Sequence, residues 1–260
     1  AANAITASLI SLSATALISG LLSLWMVPLE SFLTSALGYF VLAGIFAPGL
    51  GRTLTYVGIE RVGVARSVPI VNSSPMFASI LAVFVLEEHW SLQNFFGTCL
   101  VICGVVILSR SHPEQKAWRW SDLLLPIAGA LAFAVSSNLR KLGLQIENIP
   151  LMATTVTAST AAFFAWLILY FQRGRSAIRI TKTSFRWLLA AGLCNSIATI
   201  SVFQALSRGR VVIVGPLVAA NPVLSILFTA IFLRDLEIIT TRVVLGGLCT
   251  VTGTIFIVTL

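Results

Sequence analysis

The sequence predicts an all-α, polytopic membrane helical bundle built from two related halves, and three observations carry that prediction. Only 10% of its 260 residues are charged and 57% are hydrophobic, against about 25% charged in a soluble domain. Nearly uncharged windows of about 20 residues, the length a helix needs to cross a bilayer, recur along the whole chain. One pattern of prolines, acidic residues and glycines also occurs twice.

Apolar windows bounded by charged or turn residues give nine spans, at about 4–27, 34–58, 65–86, 91–109, 121–141, 149–171, 185–206, 211–233 and 238–259. They are expected to be helices, because a segment in lipid must satisfy its backbone groups internally and barrel strands are about ten residues long. The links are short except 109–122, the expected boundary between halves, and the strongly basic 172–186.

An offset of 147 positions superposes Tyr56 on Phe203, Arg61 on Arg208, Pro69 on Pro216, Pro75 on Pro222, Leu86 on Leu233 and Glu88 on Asp235. After a two-residue insertion Gly97 falls on Gly246 and Gly104 on Gly253. Such self-similarity marks one module used twice, expected at 1–112 and 119–260. The second copy holds five spans and the first only four, because nothing matches 120–141. A first helix of about 30 residues is therefore expected upstream of Ala1, giving ten spans. An odd number of spans per copy sends the copies into the membrane in opposite senses, the inverted repeat of many secondary transporters.

The net charge of +8 comes from 14 Arg and three Lys, mostly in the links. Twelve of them (Arg61, Arg66, Arg110, Lys116, Arg119, Arg173, Arg175, Arg179, Lys182, Arg186, Arg234 and Arg242) fall on one side, and Arg140, Lys141, Arg208 and Arg210 on the other. The positive-inside bias makes the first set cytoplasmic and places the C-terminus outside. No continuous basic face or basic-aromatic module points to nucleic acid. Cys99, Cys103, Cys194 and Cys249 lie in apolar spans without metal-ligand spacing and read as small packing residues. No cofactor or metal is expected. No charged leader with a cleavage site precedes the first apolar run.

The stretch 63–109 (GVARSVPIVNSSPMFASILAVFVLEEHWSLQNFFGTCLVICGVVILS) joins a helix-entry loop, a mid-helix proline, a Leu-x-Glu helix end and a last helix with spaced glycines. Residues 209–260 repeat it with Pro222 and Leu233-Arg234-Asp235. The doubled pattern resembles the EamA-type transporters of the drug/metabolite transporter superfamily and covers essentially the whole chain. Asp235 departs from the usual Glu, and the first helix is missing. The resemblance implies two five-helix repeats, a central cavity lined by the first four helices of each half, a peripheral fifth helix, and both termini cytoplasmic, against the charge count. It also implies a multi-pass protein of the bacterial inner (cell) membrane. Its expected partners are the bilayer and a small-molecule solute, with a homodimer compatible with such a bundle.

Polar residues inside apolar spans are the candidate substrate contacts, since burying an unpaired polar group costs a few kcal/mol. Arg52 lies about six residues inside its span, deep enough to offer a carboxylate or phosphate two parallel hydrogen bonds, or to snorkel to the interface. Tyr56 shares its helical face with Pro48 and Arg52. Asn195, Thr199 and Phe203, with Gln204 beside them, form a polar-aromatic stripe in the other copy; helix-helix hydrogen bonding explains it equally well. Asn72, Ser73, Ser74 and Pro75, and Asn221 with Pro222, place amides beside helix-breaking prolines, which read as hinges or packing kinks. Ser137 and Asn138, next to Ser136, complete the set. Arg140 and Lys141 read as interfacial anchors, and Glu87, Glu88 and Asp235 as helix-end markers.

These observations favour a secondary transporter or exporter of a small organic metabolite, amino-acid-like or otherwise anionic or zwitterionic. A nucleotide-sugar or sugar-phosphate carrier is the alternative within the superfamily, and a channel or structural membrane protein the alternative outside it. An enzyme is disfavoured. Only His89 and His112 exist, both in links, and no carboxylates cluster or lie in mid-span.

Overall fold

The computed structural model describes residues 4–109, 119–173, 182–221, 223–224 and 241–258. Pro222, residues 225–233 of the span at 211–233, Asp235, His112 and the basic residues Arg110, Lys116, Arg175, Arg179 and Arg234 lie outside the described residues. Every regular element described is helical. The order is α1 (Ala4–Met26), a 3-10 turn (Leu29–Phe32), α2 (Ala36–Gly44), a π-helical segment (Ile45–Gly51), α3 (Arg52–Val62), α4 (Val64–Asn72), α5 (Ser74–Val85) and α6 (Leu92–Ser109). After a second 3-10 turn (Trp120–Leu123) come α7 (Leu124–Ile146), α8 (Pro150–Arg173), α9 (Lys182–Arg208), α10 (Val211–Ala219) and α11 (Thr241–Val258).

Six segments among the described residues are long and apolar enough to cross a bilayer: Leu9–Met26, Ala36–Val62, Arg66–Val85, Trp120–Ile146, Pro150–Ile168 and Leu188–Arg208. Leu92–Ile107 and Leu245–Ile257 are shorter apolar helices. The expected spans are therefore present as helices wherever they are described. The expected end at 141 moves: α7 runs on to Ile146, which leaves Arg140 and Lys141 more than a turn inside the helix instead of at the end of the span, where the sequence read them as interfacial anchors.

Helix ends follow local chemistry. Pro28, which disfavours helical geometry in the residue before it, follows the end of α1. Gly63, at φ 86°, closes α3 in a conformation that side chains rarely adopt, while its N–H still bonds the Ile59 carbonyl. Glu87 takes φ 53° after α5, which folds the chain back so that the Glu88 N–H reaches the Ala82 carbonyl at 3.2 Å.

Burial follows the rule of lipid solvent. Trp25, Leu33 and Phe84 are 85%, 91% and 80% exposed, whereas Thr15, Ser19, Ser196 and Thr157 are buried. With lipid outside, hydrophobicity does not drive helix association, so small residues that permit close approach and hydroxyls that bond across helices occupy the interior.

The chain divides into two compact units that are not the sequence halves: 1–50 with 139–208, and 51–138 with 209–260. The division falls at the end of the π-helical segment and inside α7. In the first unit α1 and α8 share a Ser23–Thr155 hydroxyl bond of 2.8 Å, and α2 meets α8 where Thr157 Oγ1 donates to the Phe40 carbonyl. Phe40 in turn lies against Gly143 of α7, where a methyl group would fall within 2.5 Å of its ring.

In the second unit α6 and α11 pack through glycines. A Cβ on Gly97 would lie 3.0 Å from the Gly253 carbonyl oxygen, and one on Gly104 would lie 2.6 Å from that of Gly246. The pair is antiparallel, with Gln93 Nε2 bonding the Phe256 carbonyl at the far end. Each glycine meets the counterpart of the other under the sequence offset, the reciprocity that a twofold axis produces.

Candidate functional site

In the second unit Arg52 opens α3 directly after the π-helical Ile45–Gly51. Pro48 within that segment has no N–H to donate, and π-helical turns occur often at functional sites. Arg52 and Tyr56 are both half-buried. A π turn holds more residues than an α turn, so the face they share starts afresh at Arg52. Thr55 Oγ1 donates back to the Gly51 carbonyl at 2.7 Å, and Gly129 of α7 lies against the same turn.

The span at 66–85 breaks at Ser73, whose hydroxyl donates to the Ile70 carbonyl at 2.6 Å. Asn72 and Ser74 flank the break, half-buried, and Pro75 is buried in the first turn of α5, where its missing N–H leaves no helical bond unmade. Asn138 is buried on α7, and its Nδ2 donates to the Ala134 carbonyl and across to the Ala78 carbonyl of α5, both at 3.0 Å. Its Oδ1 and the Ser79 hydroxyl are buried without a hydrogen-bond partner. Ser137 is half-buried, Asn221 is exposed, and Pro222 is among the undescribed residues.

In the first unit the stripe along α9 divides by role. Asn195 Nδ2 donates to Thr15 Oγ1 of α1 at 3.1 Å, joined there by the Ser196 hydroxyl at 3.2 Å, a helix-helix contact. Thr199 Oγ1 bonds the Asn195 carbonyl. Phe203 has no exposed surface and carries the Arg140 guanidinium over its ring, while Gln204 is exposed.

Three features escaped the sequence reading. Glu88, read as a helix-end marker, is buried, and its carboxylate accepts the Val211 and Val212 N–H groups at 2.9 and 3.0 Å. It caps the N-terminus of α10, where a negative charge is stabilising. Arg140, read as an anchor, stacks on Phe203. Asn94 of α6 is fully buried with both amide atoms unpaired. None has a local signal, because every partner is distant in sequence or absent.

Comparison with known proteins decides the family. The EamA-like transporter family model matches residues 1–110 and 119–259. The chain belongs to the EamA-like transporter family. It is also 36% identical over 66 residues to the probable 4-amino-4-deoxy-L-arabinose-phosphoundecaprenol flippase subunit ArnE of Pseudomonas fluorescens strain Pf-5, 25% of this chain and 58% of that protein. The ArnE of strain Pf0-1 matches at 30% identity over the same length and shares. The uncharacterized transporter YwfM of Bacillus subtilis matches at 28% over 94 residues, 36% of this chain and 32% of YwfM. The chain thus spans little more than half the length of the ArnE proteins and a third of YwfM. One crystal structure superposes with a TM-score of 0.83 over 100% of this chain and 88% of that one, at 15% identity, which establishes a shared fold. This EamA-like transporter is a multi-pass integral membrane protein of the bacterial inner membrane.

Proposed function

We propose that this EamA-like transporter is a secondary carrier that moves a small organic solute with an anionic or zwitterionic group, by alternating access between two inverted repeats, one with four spans at 1–112 and one with five at 119–260. The supporting observation is the placement of Arg52, an ionisable residue inside an apolar span, at the exit of a π-helical segment. Charged groups at membrane depth are costly and mark substrate or ion pathways. A guanidinium there binds a carboxylate or phosphate through paired hydrogen bonds. Tyr56, Asn72, Ser74, Ser137, Asn138, Asn195, Thr199, Phe203, Gln204 and Asn221 are the further candidate contacts, and Pro75 and Pro222 the candidate hinges.

The match to ArnE favours a second reading, a carrier of a sugar phosphate, lipid-linked or nucleotide-linked. A solute bound by the folded state raises its apparent stability by mass action. Thermal unfolding of the purified protein against amino acids, nucleotide sugars and sugar phosphates therefore separates the readings by the class that stabilises. Arg52→Ala is expected to abolish uptake of that solute into liposomes while leaving the unfolding temperature near that of the wild type. Uptake undiminished by the substitution removes Arg52 from the site. A homodimer belongs to the same proposal and is read from the mass of the purified particle.

A further inference from the structure

The sequence reads Arg140 and Lys141 as interfacial anchors at the very end of the span 121–141, where a cation needs no further explanation. The structure places them inside α7, with Arg140 six residues before the helix ends at Ile146, about 9 Å along the axis at 1.5 Å per residue. Phe203 lies five residues inside the end of α9 at Arg208. An anchor at that depth extends its charge outward to the headgroups. Arg140 instead lays its guanidinium over Phe203, with Cζ 5.2 Å from the ring centroid, and Phe203 is wholly buried.

The stack occupies one face of the guanidinium and leaves its hydrogen-bonding edge in the plane free for an acceptor. Nothing described fills that edge. Arg140 Nε is buried without a hydrogen-bond partner, and no carboxylate pairs with Arg140 among the described residues. Arg140 is half-buried, and a cation inside an apolar span is costly without a partner. The next residue adds a second positive charge, held in place because Lys141 Nζ donates to the Leu206 carbonyl at 2.8 Å in the last turn of α9.

A flat donor fork with a neighbouring ammonium is complementary to a group with several acceptor oxygens and more than one negative charge. We infer that Arg140, oriented by Phe203 and supported by the charge of Lys141, binds a phosphate group at this end of α7 and α9. The phosphate belongs either to a soluble phosphorylated solute or to a lipid headgroup. The inference deepens the carrier reading, on which the purpose of the site rests, but binding is measured without transport, so either fails alone.

The full chain is purified in an uncharged detergent and its thermal unfolding followed in two arms. One titrates inorganic phosphate against chloride at equal ionic strength; the other compares micelles doped with phosphatidic acid or with diacylglycerol of the same acyl chains, which differ only in the phosphate. Saturable stabilisation by inorganic phosphate identifies a soluble source, and stabilisation by phosphatidic acid alone a lipid one. In the responding arm Arg140→Gln is expected to weaken the apparent affinity by at least about tenfold, the value of one charge-assisted hydrogen bond. Phe203→Leu, which removes only the stack, is expected to weaken it less. Wild-type protein unresponsive in both arms, or Arg140→Gln responding as the wild type does, overturns the inference. Should Arg140→Gln fail to fold, Arg140→Lys keeps the charge and loses the planar fork, and wild-type affinity in that variant rejects the guanidinium's role.

Discussion

Replacing Gly104 with Ala adds one methyl group where α6 meets α11, and the cost follows from what that group would touch. It would lie 2.6 Å from the Gly246 carbonyl oxygen and 2.7 Å from the Thr250 nitrogen, and on the Thr250 hydroxyl. Two of these are backbone atoms, so no side-chain rotation makes room and the helices must separate. A gap of about 0.5–1 Å forfeits a quarter to a half of each dispersion contact along the seam, and overpacking of this kind costs about 1–3 kcal/mol. Gly247 on α11 is the internal control, because a methyl there meets nothing within 4 Å. Gly247→Ala narrows the unfolded ensemble and improves helix propensity, which stabilises by about 0.4–1 kcal/mol. Thermal unfolding in detergent is expected to shift in opposite directions for the two variants. Equal shifts, or stabilisation by Gly104→Ala, would refute the close-packed glycine seam.

Glu88→Ala leaves the buried Val211 and Val212 N–H groups without acceptors and is expected to destabilise by about 1.5–3 kcal/mol, with hydrogen exchange rising first at those two amides; unchanged exchange there removes the cap. Pro75→Ala restores an N–H that can bond the Val71 carbonyl and join α4 to α5. It is expected to change stability by less than about 1 kcal/mol while slowing solute counterflow in liposomes, and a wild-type rate rejects the hinge.

The spans were legible because lipid imposes a coarse requirement, about 20 apolar residues with an internally bonded backbone. The expected 4–27 is α1 at Ala4–Met26, and 149–171 is α8 at Pro150–Arg173. The end of α7 was not legible. Lys141 and Arg140 read as interfacial anchors at the end of the span, yet they are tolerated inside the helix by the Leu206 carbonyl and the Phe203 ring, 65 and 63 residues further along the chain. The role of Glu88 was hidden in the same way, since its partners lie 123 and 124 residues on. The glycines were partly legible: the offset pairs Gly97 with Gly246 and Gly104 with Gly253, and the packing exchanges those pairs across the seam. Asn195 shows the limit of a helical stripe, because a residue that bonds a neighbouring helix and one that contacts solute have the same spacing. The π-helical segment before Arg52 had a cue in Pro48, which removes a donor without saying how the backbone will accommodate the loss.

Solute counterflow tests the carrier mechanism most directly. Liposomes containing the purified protein are loaded with an excess of the solute that stabilises it, then diluted into a trace of the labelled compound. A carrier that must reorient around one site takes up label faster, and transiently against its gradient, when unlabelled solute waits inside. Uptake that ignores the internal solute describes a pore and contradicts alternating access.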